Sequence, residues 1–487
     1  MPIGNVTQAV ASGTVTHRSV APDTEVGTPV WKALAPVPIA LVLALLPVPS
    51  GLAPHAWSTA ADADDTVPPA PPGTRTVADT PFQLVLPQGH LFGDWGGTRT
   101  WLDERGITPT VTFVMDALGN PTGGMQQGFT QASNLGVDLR FDLQKMVRLD
   151  GGSVEISFSE RFGSSLSREY IGNVFTVQQV FGGQTYRLVN VAYQQQLLED
   201  RIELRVGRIA AGDDFLVSPY NYVFVQNGFD GNPVGIFFNA PGMTAYPNAT
   251  WGGLVKVKPT ERMYVMGGFY NGDVSIRANE NHGADWSMDG PLFSIGEVGY
   301  QINGLPGDTG LIGNYKIGFW YDDHRYIDFT TVARGGGTET PRGNWGVYGL
   351  FDQVLVRFGG PGSNRGFGIT GSVLVSPDQS VSLMPFFATA GALIRGMFAS
   401  RPTDVGGFGI VYGHFSDDLQ DSQRRARESG SDVGIQRYEM ALELTYRFRF
   451  YQDALFFQPD LQYIIRPGGT GRISDALVAG FQMGINF

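Results

Sequence analysis

Cysteine is absent from all 487 residues, which removes disulfides, thiolate metal sites and cysteine nucleophiles together. Charge is scarce as well: 16% of residues are Asp, Glu, Lys or Arg, against about 25% in ordinary soluble domains. Apolar residues, at 42%, are not scarce, so the low-hydrophobicity, high-charge composition of a disordered chain is missing. Positive charge is in deficit. The 34 Lys and Arg against 46 Asp and Glu leave a formal charge of -12, and without a basic tract nucleic acid is a poor partner. The six histidines (17, 55, 90, 282, 324 and 414) are scattered without ligand spacing, so no metal site is expected. No GxSxG elbow is present, which disfavours a serine hydrolase. Gly366, Gly368 and Gly371 match GxGxxG, but inside a strand pattern with no following helix. In a chain with 66 glycines this is a chance match, and no cofactor is expected.

Long hydrophobic runs are also lacking, with one partial exception. From Ala33 to Leu52 the chain is largely apolar, but Pro36, Pro38, Pro47 and Pro49 interrupt it, leaving far fewer than the roughly 20 residues a spanning helix needs. Lys32 before it and Ser58 to Ala61 after it complete a secretory signal pattern with an over-long leader, cleaved near Ala60. This divides the chain into a signal region 1–60, an Asp/Pro-rich linker 61–90, a short periplasmic segment 91–107 with Trp95 and Trp101, and the remainder 108–487. With no spanning helix, a membrane location requires a β-barrel.

What the chain does have is period two. Leu477, Ala479, Phe481, Met483, Ile485 and Phe487 alternate with small or polar residues, and Tyr438 to Phe450 places Glu439, Glu443, Arg447 and Arg449 on one face only. Leu135 to Gln144 and Arg201 to Val206 repeat the pattern. In a soluble sandwich the apolar face would be the core. Many strands of about ten residues, few charges and aromatics near strand ends instead suit an outer-membrane barrel, with lipid in place of a core. The patterns predict sixteen antiparallel strands starting near residues 108, 135, 152, 184, 200, 250, 261, 292, 311, 345, 366, 384, 406, 437, 454 and 474. Tight connections at 149–152, 198–200, 259–261 and 451–454 alternate with long ones at 117–134, 163–183, 211–249, 271–291, 323–344 and 415–435. Short turns belong at the periplasmic rim and long loops outside. The alternation blurs over 359–405, and Pro459 sits inside a strand pattern where proline normally marks an edge or bulge.

The stretch LFGDWGGTRTWLDERGI, Leu91 to Ile107, resembles the carbohydrate-selective porins of the OprB family. NLGVDLRFDL at 134–143, Gly207-Arg208 followed by Asp213-Asp214-Phe215, PDLQYIIRPGG at 459–469 and the closing Phe487 carry the likeness onward, so it covers nearly everything after Leu91. It implies a sixteen-stranded barrel that lets sugars such as glucose diffuse passively and selectively across the outer membrane. The terminal Phe487 implies an assembly signal read by the barrel-assembly machinery, and the outward strand faces imply contact with outer-membrane lipid. Whether subunits form a homo-oligomer is left open. The readings from other classes are an outer-membrane barrel enzyme such as a lipid hydrolase and a soluble all-β sugar-binding protein.

Candidate solute contacts follow from strand parity. Arg140, Arg205 and Arg161 fall on the polar face, as does Glu155, whereas Glu160 and Arg208 need a bulge or strand end to face inward. Guanidinium forks and carboxylates can hydrogen-bond sugar hydroxyls. The plain alternative is a wall ladder in which these charges only stabilise the barrel. The connection 211–249, rich in rings that include Phe215, Tyr222 and Phe237, is too long and apolar for a solvated tip. It is expected to fold into the lumen, where rings stack on pyranose faces and Asp213, Asp214 and Asp230 accept hydroxyls, or else to form a small core of its own. Arg140 and Arg205 are expected to face this loop across the constriction. Their mixture with acidic neighbours points to neutral solutes.

Overall fold

The computed structural model describes residues 89–487 except 230, 306–307, 334–339, 361–362 and 452–453. The signal region, nearly all of the linker and Asp230 lie outside the described residues. Sixteen strands close into one antiparallel barrel in which every strand pairs with its sequence neighbours and the last pairs with the first. They are β1 (Ile107–Gly124), β2 (Gly128–Asp142), β3 (Gly152–Gly163), β4 (Tyr186–Leu197) and β5 (Ile202–Ile209). Then come β6 (Thr250–Thr260), β7 (Met263–Asn271), β8 (Leu292–Ile302), β9 (Gly313–Arg325), β10 (Arg342–Arg357) and β11 (Gly366–Val375). The circuit ends with β12 (Phe386–Arg395), β13 (Val405–His414), β14 (Tyr438–Phe450), β15 (Leu455–Ile465) and β16 (Ser474–Asn486). Closure leaves no strand edge with unpaired backbone groups, which the hydrocarbon layer would not tolerate.

Which face points where is decided by β14. Leu444 is 57% exposed while its neighbour Glu443 is 1% exposed. Apolar side chains outside and charged ones buried inside invert the order of a soluble sandwich, and only a lipid surround makes that order favourable.

Two local expectations change. The predicted long connection 117–134 is almost entirely strand: β1 runs to Gly124 and β2 starts at Gly128, with Asn120 paired to Gly128. The polar residues there carry no apolar stripe, so period-two reading stopped early. The turn is held by one side chain, since Asn120 Nδ2 donates to the carbonyls of Gly123 and Gln126 at 3.0 and 2.8 Å and its Oδ1 accepts from Gly128 N at 3.0 Å. Pro459 neither ends nor bulges β15, whose register with β16 is unbroken. Its missing N–H only interrupts the β14 ladder between the pairs Thr445–Asp460 and Phe448–Phe457, and Thr445 Oγ1 donates to its carbonyl at 3.0 Å.

The interior is filled by two connections, 164–185 and 210–249. The second crosses the barrel, because its backbone is bonded to strands on opposite sides. Leu216 N donates to Glu297 of β8 at 2.9 Å, Gly242 N to Asp322 of β9 at 2.6 Å and Val225 N to Glu443 of β14 at 2.7 Å. In return Arg447 of β14 and Gln458 of β15 donate to the carbonyls of Tyr222 and Val223 at 2.9 and 2.6 Å. The first connection is bound likewise: Val174 and Phe175 N–H groups both meet Glu439. The two segments also bond each other, Gln179 N to Val225 O at 3.0 Å and Asn227 N to Thr176 O at 2.9 Å. An irregular backbone inside a barrel needs a partner for each polar group, and the polar faces of the strands supply them.

Its rings are seated with equal care. Phe224 and Phe229 stack at 4.0 Å and are fully buried. They lie against Gly391, Gly407 and Gly409 of β12 and β13, where a Cβ on Gly409 would come within 2.6 Å of Phe229. At the opposite rim the segment before β1 covers the seam: Leu91 N donates to Asn486 O at 2.7 Å and the rings of Phe92 and Phe487 lie 5.7 Å apart. A single-turn helix, Thr98–Asp103, leads into β1.

Candidate pore and constriction

Arg205 lies midway along β5 on its inward face, and it is 1% exposed. Its Nη1 donates to Asp214 at 2.7 Å and its Nη2 to Glu155 at 3.1 Å, with Asp213 at 3.8 Å. Asn190 of β4 bridges the acids, donating to Glu155 at 3.1 Å and Asp213 at 3.0 Å. The expectation that Arg205 faces the loop across an open eyelet is therefore corrected: it clamps the start of that loop to the wall. The cause is proximity in the chain, because Asp213 and Asp214 follow directly where β5 leaves the sheet. Phe215 is also removed from the path, fully buried against Tyr270 in an edge-on pair at 6.4 Å.

Arg208 is corrected in the same way. Buried at the strand end, it donates to the carbonyls of Val189 at 3.2 Å, Ala249 at 3.0 Å and Asp285 at 3.1 Å, and to that of Gly283. Arg187 of β4 does likewise to Ile276 at 2.7 Å and Arg277 at 3.2 Å. The two guanidiniums hold the connection 272–291 down on β4 and β5. Arg208→Ala is expected to leave several buried carbonyls unpaired, at about 1–3 kcal/mol each. The readout is trypsin cleavage at Arg277 in intact cells, which should appear in the variant while sugar flux stays normal; uncut protein would contradict the assignment.

Glu160 faces outward. It shares the outward face of β3 with Phe158 and Phe162, which are 44% and 42% exposed, and stands opposite Leu135; no bulge on the β2 side turns it in. Phe237 packs half-buried on the interior hydrophobic cluster and is not among the residues lining the cavity. Phe215, Phe224 and Phe229 thus pack into a core shared by the loop and the barrel wall rather than one of the loop's own.

Other candidates do converge. Arg161, Asp213 and Tyr222 line a partly open cavity of about 70 Å3 between β1–β3 and the interior segments. Thr112, Asn134, Asp138, Gln179 and Tyr246 complete its polar lining. Arg161 Nε donates to Asn134 Oδ1 at 3.3 Å and its guanidinium lies 5.3 Å from the Tyr246 ring centroid. Asn134 is itself fixed, accepting from Ser159 Oγ at 2.7 Å and donating to Tyr246 Oη at 3.2 Å. Arg140 is half-buried on the same face of β2, paired across to Glu155 of β3. Asn134 and Asp138 share the parity of Arg140, a signal that was legible in the sequence. Gln179 carries no such signal, since it sits in an irregular segment.

The arrangement is a polar cavity wall of fixed donors, acceptors and rings. Comparison with known proteins agrees. The family model for the carbohydrate-selective porins, OprB family, matches residues 126–487. Porin B of Pseudomonas aeruginosa is 29% identical over 424 residues, covering 81% of this chain and 90% of that protein. A putative porin, QuiX, of Acinetobacter baylyi is 25% identical over 428 residues, 82% and 93% of the two chains. A high-pH structure of Pseudomonas putida OprB superposes with a TM-score of 0.75 at 26% identity, covering 82% of this chain and 99% of that one. The hydrolase and soluble alternatives find no support in fold or family. A closed sixteen-stranded barrel, lipid outside and polar inside, with this family match across most of its length, belongs to the OprB family of carbohydrate-selective porins of the bacterial outer membrane.

Proposed function

We propose that the sugar path runs through the space bounded by β1–β3 and the interior loop, and that Arg161, Asn134, Asp138 and Asp213 form its selective contact with Tyr222 and Tyr246. The observation that carries this reading is the placement of the Arg161 guanidinium beside the Tyr246 ring, both on the cavity wall. Arg161 donates to two hydroxyls at once, the carboxylates accept from others, and the rings cover the apolar face of a pyranose. Arg140 and Glu155 form the next polar pair along the wall. A neutral monosaccharide such as glucose suits a site whose charges are already partnered. Binding stays weak, since a channel conducts only if the solute leaves as readily as it enters, and the path carries out no chemistry on it.

Single-channel recording with sugars as blockers tests this. Arg161→Ala removes both a donor and volume, so glucose block should weaken roughly tenfold, about 1.4 kcal/mol and within the range of a lost charged hydrogen bond, while open conductance rises. Unchanged block and conductance would place the path elsewhere.

A further inference from the structure

The outer wall carries an open groove on the lipid side of β11–β15, with a volume of about 630 Å3. Its position follows from register. Phe367, Ile394, Gly406 and Tyr446 form one outward row across four strands, and Ala392, Phe408 and Leu444 form the next. The depression lies over Ala392, whose side chain is small beside Phe408 and Leu444, while Gly406 at its edge is buried beneath Ile394 and Tyr446.

Such a groove opens into hydrocarbon. Water does not stabilise an apolar depression, and a void forfeits dispersion contacts along its whole lining. The filler must therefore be apolar, narrow and flexible, which describes an acyl chain. The end of the groove carries positive charge. Met397, on the short turn between β12 and β13, marks the mouth at the periplasmic rim. Beside it Arg365 donates through Nε to Gly396 O at 2.9 Å and is only partly buried. Arg401, its side chain 36% exposed, meets Asp404 at 2.8 Å, and Asp404 in turn accepts from the hydroxyl of the groove-wall residue Tyr446 at 3.4 Å. Asp404 neutralises one guanidinium, so the mouth keeps a net positive charge from Arg365.

We propose that this groove is a specific site for one glycerophospholipid of the periplasmic leaflet, with an acyl chain in the trough over Ala392 and the phosphate at Arg365 and Arg401. The phospholipid is favoured over a second copy of the chain because the trough is continuous with the lipid-facing belt and its mouth complements an anionic headgroup.

The test is lipid retention by the full chain purified from outer membranes in mild detergent, read by native mass spectrometry and by lipid extraction. The wild type should keep one phospholipid per barrel after washing has stripped the surrounding lipid. Ala392→Phe fills the trough and should lower retention about tenfold, as expected when a few buried methylenes are displaced, with sugar flux unchanged. Arg365→Gln lies outside the wall and does not bear on folding of the strands. In nanodiscs of equal phosphatidylglycerol and phosphatidylethanolamine it should abolish enrichment of phosphatidylglycerol in the retained lipid. If Ala392→Phe fails to assemble, the Arg365→Gln result decides alone. A wild type without retained lipid, a variant that retains as much as wild type, or a lipid-free dimer dissociated by Ala392→Phe would each overturn the proposal.

Discussion

Replacing Arg205 by alanine is expected to open the pore rather than merely weaken sugar recognition. The guanidinium is fully buried among Glu155, Asp213 and Asp214, so its loss removes the buried charge that draws these three carboxylates together. Removing one member of a buried ionic cluster costs about 3–5 kcal/mol, more than an exposed pair could. That cost is relieved if the start of the 210–249 segment leaves the wall, because water then solvates Asp213 and Asp214. Single-channel conductance should rise at least about twofold with added current noise, as the constriction loses a wall. Chymotrypsin should cut within 210–249, a stretch rich in buried rings and without Lys or Arg. Arg205→Lys should rescue only in part, since a point charge cannot hold Glu155 and Asp214 together as the planar fork does. Wild-type conductance and resistance to chymotrypsin in Arg205→Ala would mean that the loop is held by its other contacts alone.

Gly409→Val should have the second large effect, by a different route. A Cβ at this lumen-facing position would lie 2.6 Å from Phe229 and 2.8 Å from Phe224, both fully buried in their stack. Overpacking alone costs about 1–3 kcal/mol, and if the rings leave their seats the loss approaches that of a core phenylalanine, about 3–5 kcal/mol each. The strand itself favours valine over glycine, so the barrel should still assemble while the loop is displaced, raising conductance and exposing 210–249 to chymotrypsin. Gly349 is the control. It faces outward with nothing nearer to a Cβ than Lys316 O at 3.8 Å, and Gly349→Val should change neither property. Equal behaviour of the two variants would sever the link between the ring sockets and the pore.

The two variants act on the same feature. Many charged and glycine positions of the inner wall serve as moorings for the interior segments, and the smaller set around Arg161 is the one proposed to meet solute. Glu439, Glu443, Glu297 and Asp322 each accept backbone N–H groups of those segments. A polar face reads the same from sequence whether it will meet sugar, water or the backbone of a distant loop.

The barrel itself was determined by the sequence. Strand parity is a local property: the backbone reverses side-chain direction at every residue, so Tyr438 to Phe450 announces two faces without reference to any neighbour. The scarcity of charge on one face and the absence of a spanning helix then name lipid as the solvent for it, and the alternation of turn lengths orients the strands. Only the tertiary structure decided what the inward groups touch. Arg447 meets the Tyr222 carbonyl and Glu443 the Val225 amide across more than two hundred residues of chain, and no periodicity encodes such a pair. Arg205 and Arg161 sit on the same polar face of their strands, yet one is sealed into a clamp and the other borders open space. That difference depends on where loop 210–249 comes to rest, and its resting place is set by the fit of its rings and amides to the closed barrel as a whole.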